Sequence, residues 1–221
     1  MSNIIVAVDG PVAAGKGTLG RRLAAYFDFA YLDTGGLYRA VALRMLRAGE
    51  DLHDVAAMVA QARAVNQADL EDPALRAEET GEAASVVAPQ AELRAALLQY
   101  QRKFAANPPN GAAGAVLDGR DIGTVVCPDA QAKLFVTASA LARAERRHAE
   151  LVGRGEDISL EVVQADLAKR DARDSERAAS PLTAADDAHL LDTTKMDIEA
   201  AFEAAREIVA ACMNDPQVRH R

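Results

Sequence analysis

The stretch "DGPVAAGKGTLG", Asp9 to Gly20, constrains what this chain can fold into more than any other segment. It follows a short β-branched apolar run, Ile4 to Val8, which reads as a buried parallel strand. It leads into a helical pattern from about Lys16 to Phe27, with Leu19, Leu23 and Tyr26 on one stripe. A glycine loop between a strand and a helix places backbone N–H groups and a helix N-terminus around a phosphate. Gly10 and Gly15 let the backbone approach closely, and Lys16 can reach the outer phosphates. The pattern G-x-x-x-x-G-K-[ST] is met up to the lysine, after which a hydroxyl should hold magnesium. Here Gly17 comes next, and the hydroxyl arrives one step late at Thr18. An ordinary strand-to-helix turn containing Gly and Lys is the plain alternative, and the full strand–loop–helix context weighs against it.

The rest of the chain repeats the alternation. "FAYLD", "AVLDG", "AKLFVTA" and "HLLDTT" read as four more strands. Between them, "TGGLYRAVALRMLRAG" predicts a helix closed by Gly49, and a third helix spans roughly Leu52 to Val65. Pro89 opens the helical run "QAELRAALLQYQRKF", which "NPPNGAAG" ends. Ser139 caps an Arg-rich helix, another covers about Leu160 to Arg173, and Asp197 caps a last one. In that last helix Ile198, Ala201, Phe202, Ala205, Ile208 and Val209 make one apolar stripe. The acidic stretch from Val65 to Ser85 has neither strand alternation nor an obvious core face, and predicts a short helical or irregular connection. Strands alternating with helices imply an α/β fold: a parallel sheet of about five strands with helices on both faces. We expect a single domain over residues 1–221, with mobile segments around the acidic middle and the Arg-rich helix.

A net charge of −8, from 33 acidic and 25 basic residues, argues against broad binding to polymeric nucleic acid. A phosphate-binding protein of this charge must gather its arginines locally. Cys127 and Cys212 lie far apart with no C-x-x-C and no nearby His partner, so a protein-held metal or a redox pair has no support. No export signal precedes the first strand and no apolar run approaches a membrane span. The expectation is a cytoplasmic protein, off the membrane, with reduced thiols.

Arginines do cluster. "KRDARDSERAASPL" puts Arg170, Arg173, Asp174 and Arg177 at steps of three and four, so that they can share a face. "ALARAERRHAEL" adds Arg143, Arg146 and Arg147. Alone, such faces would be solvated ion pairs of little energetic weight. Beside a phosphate loop they gain a task, because bidentate guanidinium groups suit crowded phosphates. "DGRDIGT" follows a strand, and ligands in open α/β sheets sit beyond the carboxyl ends of strands. That places Arg120 and Asp121 for binding, although Asp118 and Gly119 also make a plain turn. In "YLDTGGLYRA", Thr34 and Arg39 could meet an anion, while Asp33 could cap the helix or orient an arginine or a magnesium-bound water.

Taken in order, "DGPVAAGKGTLGRRLA", "LDTGGLYRAVAL", "LRAALLQYQRKF", "LDGRDIGTVVCPDA", "KRDARDSERAASPLTAADDAHLLDTT" and the C-terminal helix resemble the bacterial cytidylate kinases, which have a P-loop NTPase-type sheet. The resemblance spans nearly the whole chain. Nucleoside monophosphate kinases typically read G-K-G-T, so Gly17 has the form usual there. It implies ATP-dependent phosphorylation of CMP and dCMP by a monomer, with Mg²⁺ carried mostly by ATP phosphates and water. It also implies that Gly10, Pro11, Val12, Ala13, Ala14, Gly15, Lys16, Gly17 and Thr18 bind ATP. Thr34, Arg39, Arg120 and Arg177 would surround the CMP phosphate, and Ser85, Arg94 and Asp121 would read the cytosine edge. Arg170 and Asp174 would hold the pentose. The CMP-binding region would run over about 34–105. A lid over about 139–177, with Arg143 and Arg147, would close on the phosphates being transferred. Lys16, Arg120, Arg143, Arg147 and Arg177 are thereby the expected catalytic residues. Two departures stand out: Ala13 replaces a common second loop glycine, and Val65 to Ser85 has no room for the small three-stranded sheet of longer members. Another small-acceptor kinase, of adenylate or shikimate type, is the rival enzyme, against which "DGRDIGT" and "RDARDSER" argue. A nucleotide-dependent switch is the rival from another class; it would more naturally carry Ser or Thr directly after Lys16.

Overall fold

The computed structural model describes residues 3–176 and 180–214. The apolar runs become one parallel sheet of β1 (Ile4–Asp9), β2 (Ala30–Asp33), β3 (Gly114–Gly119), β4 (Ala132–Thr137) and β5 (His189–Asp192). Their spatial order is β2-β3-β1-β4-β5, every neighbouring pair parallel. The register aligns Asp33 with Asp118, and Asp9 with Gly119, so the carboxyl ends of β2, β3 and β1 form one edge.

Helices cover both faces because their apolar stripes need a partner. On one side lie α1 (Lys16–Phe27) and the last helix, α9 (Ile198–Asn214). Leu19 and Leu23 of α1 meet Val6, Val8, Leu134, Phe202 and Val209 there. On the other side are α2 (Thr34–Ala48), α3 (Val55–Ala64), α4 (Gln67–Glu71), α5 (Glu78–Val87) and α6 (Ala91–Ala106). They bury Leu37, Met45, Met58, Val87, Leu93 and Leu97 against Leu117 and Ile122. Each large side chain fully buried in this way stabilises by roughly 2 kcal/mol. The Arg-rich segment forms α7 (Ala140–Gly153), which pairs with α8 (Leu160–Glu176) through a small cluster of Ala144, Leu151, Val163 and Leu167. Val12 and Ala13 of the glycine loop pack on that cluster, tying the loop to the helix pair. Among the described residues no helix is long and apolar enough to cross a membrane.

Several expectations need correction. Tyr26 does not join the stripe of Leu19 and Leu23; it is 57% exposed, its ring edge-on to Phe202 at 5.9 Å. Ile198, the first residue of α9, is likewise exposed. The third helix starts at Val55 because the Asp54 carboxylate accepts the N–H of Ala57, an N-cap. α8 continues past Arg173 to Glu176. Val65 to Ser85 carries no strand, as expected, but it does have a core face: Leu75, Thr80, Ala83 and Ala84 are buried. Alanines conceal such a face, since they bury little area each and show weak periodic contrast.

Candidate active site

The glycine loop spans the end of β1 and the start of α1. Gly10 has φ +146°, and a Cβ there would lie 1.9 Å from the Val136 carbonyl oxygen, so only glycine fits against β4. Ala13 sits in the left-handed region at φ 60°, a strained conformation for a residue with a side chain. Gly15 precedes the first helical residue at φ 92°. Lys16 is buried, and its ammonium donates to the Pro11 carbonyl at 2.7 Å, closing the loop on itself. Burial, then the Arg120 guanidinium, pull the lysine down to about 7, against the opposing charges of Asp118, Asp9 and Asp174.

Two carboxylates at neighbouring strand ends brace this edge. Asp9 accepts the backbone N–H groups of Ile122 and Gly123 at 2.8 and 2.7 Å. Asp118 accepts the Tyr31 hydroxyl at 2.6 Å, while its backbone carbonyl accepts the Thr34 hydroxyl at 2.6 Å. Burial pushes both carboxyl groups up to about 6. Thr34 is therefore buried and fixed, at the start of α2. Arg39, one turn on, is paired with Asp33, whose other oxygen caps Gly36.

The turn after β3 presents the pair that the sequence singled out. Arg120 donates to Asp174 on α8 at 2.7 Å. Asp121 is buried and paired with Arg94 of α6, their side chains 9% and 10% exposed. Arg94 also lies over the Tyr38 ring, and its Nε is buried without a hydrogen-bond partner among the described residues. Ser85, on α5, accepts from Arg173 of α8 at 3.0 Å, so this serine and the arginine-rich helix meet.

A cleft of about 1490 Å³ separates the sheet edge and α5 from α7 and α8. Val12, Ala13, Arg39, Ser85, Arg147 and Arg170 line it, joined by Arg21 and Arg173. Arg170 makes no hydrogen bond or ion pair among the described residues. Burial, and then the like charges of Arg120, Arg147 and Arg39, hold its guanidinium below the ordinary arginine value. Like-charged guanidinium groups brought this close, with Arg170 unpaired among the described residues, suit a crowded anion.

Not every expected residue lies at that surface. Arg143 is buried and spends its donors on Asp171, bidentately, and on the carbonyls of Val12 and Ala138. It is a strut between loop and α8. Arg146 is bound to Thr193, at the end of β5. Arg147 stays in the cleft, touching Glu150 at 3.0 Å. Arg177 lies outside the described residues. Gly17 and Thr18 open α1, with Thr18 exposed. Sequence reasoning missed Asp9, the bracing role of Asp118, and Arg21, whose guanidinium lies over the Tyr31 ring at 5.6 Å. A signal was available: "VDG" and "LDG" both end apolar strands, and repetition at two strand ends marks a paired edge.

Comparison with known proteins fits this geometry. The family model described as cytidylate kinase matches residues 6–211. A cytidylate kinase of Xanthobacter autotrophicus is 61% identical over 208 residues, covering 94% of this chain and 98% of that protein. One of Methylocella silvestris is 54% identical over 217 residues, covering 98% and 99%. A solved protein of Thermus thermophilus shares the fold, with a TM-score of 0.50 and 18% identity over 97% of this chain and 100% of the other. The matches run through the glycine loop, the Asp-braced sheet edge and the arginine-rich helices alike, and the chain belongs to the cytidylate kinase family.

Proposed function

We propose that this chain phosphorylates CMP and dCMP with ATP, giving CDP and dCDP, as a cytoplasmic monomer. One observation carries the reading: a glycine loop with a buried lysine faces a cleft where Arg170 lacks a partner among the described residues and is crowded by the like charges of Arg120, Arg147 and Arg39. Residues Gly10 to Thr18 would hold the phosphates of ATP on backbone N–H groups and Lys16. Thr34, Arg39, Arg120 and Arg177 would take the acceptor phosphate, and Arg170 with Asp174 the pentose. Ser85, Arg94 and Asp121 would read the base. The buried, unpartnered Nε of Arg94 is a donor suited to a cytosine acceptor. In this reading residues 34–105 form the CMP-binding region, and 139–177 a lid.

The reaction asks little covalent work of the protein. The acceptor phosphate is already anionic, so positioning and charge neutralisation by Lys16 and the arginines carry catalysis, with water excluded as the lid closes. Arg147 would act on the phosphates directly, whereas Arg143, whose donors are spent, would act by shaping the loop. Among the described residues no group of three or more His, Cys, Asp or Glu forms a metal cage. The ion would be carried mostly by the ATP phosphates and water, with the Asp118 carboxylate, 3.4 Å from where a Cβ on Gly17 would stand, as an oxygen donor beside the loop. Mg²⁺ held there would neutralise charge on the donor phosphates.

The test is release of ADP from ATP with each nucleoside monophosphate in turn. Rapid turnover with CMP and dCMP, slow turnover with UMP and none with AMP is the expected result. A preference for AMP, or hydrolysis of ATP that ignores CMP, would sink the reading.

A further inference from the structure

Residues Ile122–Val126 form a single π-helical turn, a rare geometry that recurs at functional sites. Such a turn leaves N–H groups at its start and carbonyls at its end without partners of their own. Both ends are held here by charged side chains from other elements. At the start, the two oxygens of Asp9 each accept one N–H, from Ile122 and Gly123. At the end, Arg102 of α6 donates to the carbonyls of Val125 and Val126 at 2.9 and 3.0 Å. Asp9 is buried and stands one residue before Gly10, so its backbone belongs to the root of the glycine loop and its side chain to the turn that begins beside Asp121. No slack separates them: a Cβ on Gly123 would come within 3.3 Å of the Asp9 carboxylate.

We propose that Asp9 is a positioning residue that couples the two substrate sites, transmitting occupancy of the phosphate loop to the turn bearing Arg120 and Asp121. This rests on the assignment of ATP to the loop and CMP to the turn. The physical route runs through charge. Lys16, held at the Pro11 carbonyl two residues beyond Asp9, is close enough for the two opposite charges to act on each other. A phosphate that draws the ammonium away removes part of the charge balancing Asp9. The carboxylate then holds the Ile122 and Gly123 N–H groups more firmly, fixing Asp121 for the acceptor.

The test measures the affinity for CMP by calorimetry, with and without Mg²⁺ and the β,γ-imido analogue of ATP, which cannot transfer its phosphate. In the unaltered protein the analogue tightens CMP binding by about five-fold or more. In Asp9→Asn, where an amide N–H must face a backbone N–H, the ratio falls to about one while each nucleotide alone still binds. Arg102→Ala loosens the far end of the turn, so it weakens CMP equally in both conditions and keeps the ratio. Asp9→Asn with the unaltered ratio, Arg102→Ala losing it as fully, or no coupling in the unaltered protein each overturns the proposal. Should Asp9→Asn fail to fold, hydrogen exchange of the unaltered protein decides. The analogue alone must slow exchange at the Ile122 and Gly123 amides, and unchanged exchange there overturns the idea. A protein that turns over CMP keeps the functional reading whatever the Asp9 result; one that does not bind CMP loses it, and the exchange measurement still judges the coupling.

Discussion

Replacing Arg170 by Met should make the empty protein more stable and a worse enzyme. The guanidinium is largely buried, lies against Gly81 and is surrounded by Arg120, Arg147 and Arg39, with Asp174 as the opposing charge. A methionine keeps most of the side-chain volume and drops the charge. Relief of like-charge crowding of this kind is worth about 1 kcal/mol, which for a chain of this length raises Tm by about 2–4 °C. Because the group is largely buried, added salt should reduce this gain only in part. With CMP the sign should reverse. A lost charge-assisted contact costs about 1.5–3 kcal/mol, so KM for CMP should rise about 10- to 150-fold. Thermal melts of both proteins, with and without saturating CMP, read the two effects in one experiment. A variant that melts lower than the parent without ligand, or one with unchanged KM, would refute the argument that this arginine is held in reserve for the nucleotide.

Three further outcomes follow from geometry already given. Lys16 is lowered to about 7 in the fold from an ordinary 10.5, so between those values the unfolded chain binds more protons than the folded one. Stability relative to Lys16→Met should therefore rise from pH 7 to 10, while affinity for ATP falls as the ammonium is lost, both measurable by melts and titration across that range. Asp121→Ala strands the Arg94 charge in a site where both partners are about nine-tenths buried, and should cost about 3 kcal/mol in chemical denaturation. The same change should narrow the preference for CMP over UMP in steady-state assays, because the carboxylate favours an amine donor. Gly10→Ala would drive a methyl into the Val136 carbonyl at a positive φ, and should destabilise by more than about 3 kcal/mol or yield insoluble protein on expression.

The fold was legible wherever one short pattern decides the local structure. Five apolar runs gave five strands, and Asp-Gly, Gly49 and Ser139 marked their ends and caps. Tyr26 and Ile198 were misread because helical spacing shows which residues share a face, not whether another element covers that part of it. The acidic middle concealed its packing because Ala83 and Ala84 are buried but cover little area each and leave no periodic mark. Around the site, Lys16 opens the helix after β1, and Arg120 and Asp121 follow β3, as the alternation implies. Pairings were not legible. Asp9 holding Ile122, or Arg143 spending its donors on Asp171 and Val12, joins positions more than a hundred or nearly thirty residues apart, and local pattern carries no signal across such distances.

The sheet order has a consequence for how the chain is made. β1 is the central strand and the first to be synthesised, yet its partners begin at Gly114 and Ala132. At ribosomal rates of about 5–20 residues per second, the run Ile4 to Val8 waits on the order of 5–20 s before β3 exists to pair with it. During that interval its β-branched residues and both of its edges are open, the condition that invites association between nascent chains. β2 cannot cover it, since β2 pairs only with β3. The early helix α1 can, by folding Leu19 and Leu23 back over Val6 and Val8. The strand, loop and helix that cradle phosphate would then also be the first piece to collapse, shielding the middle of the sheet until its neighbours arrive.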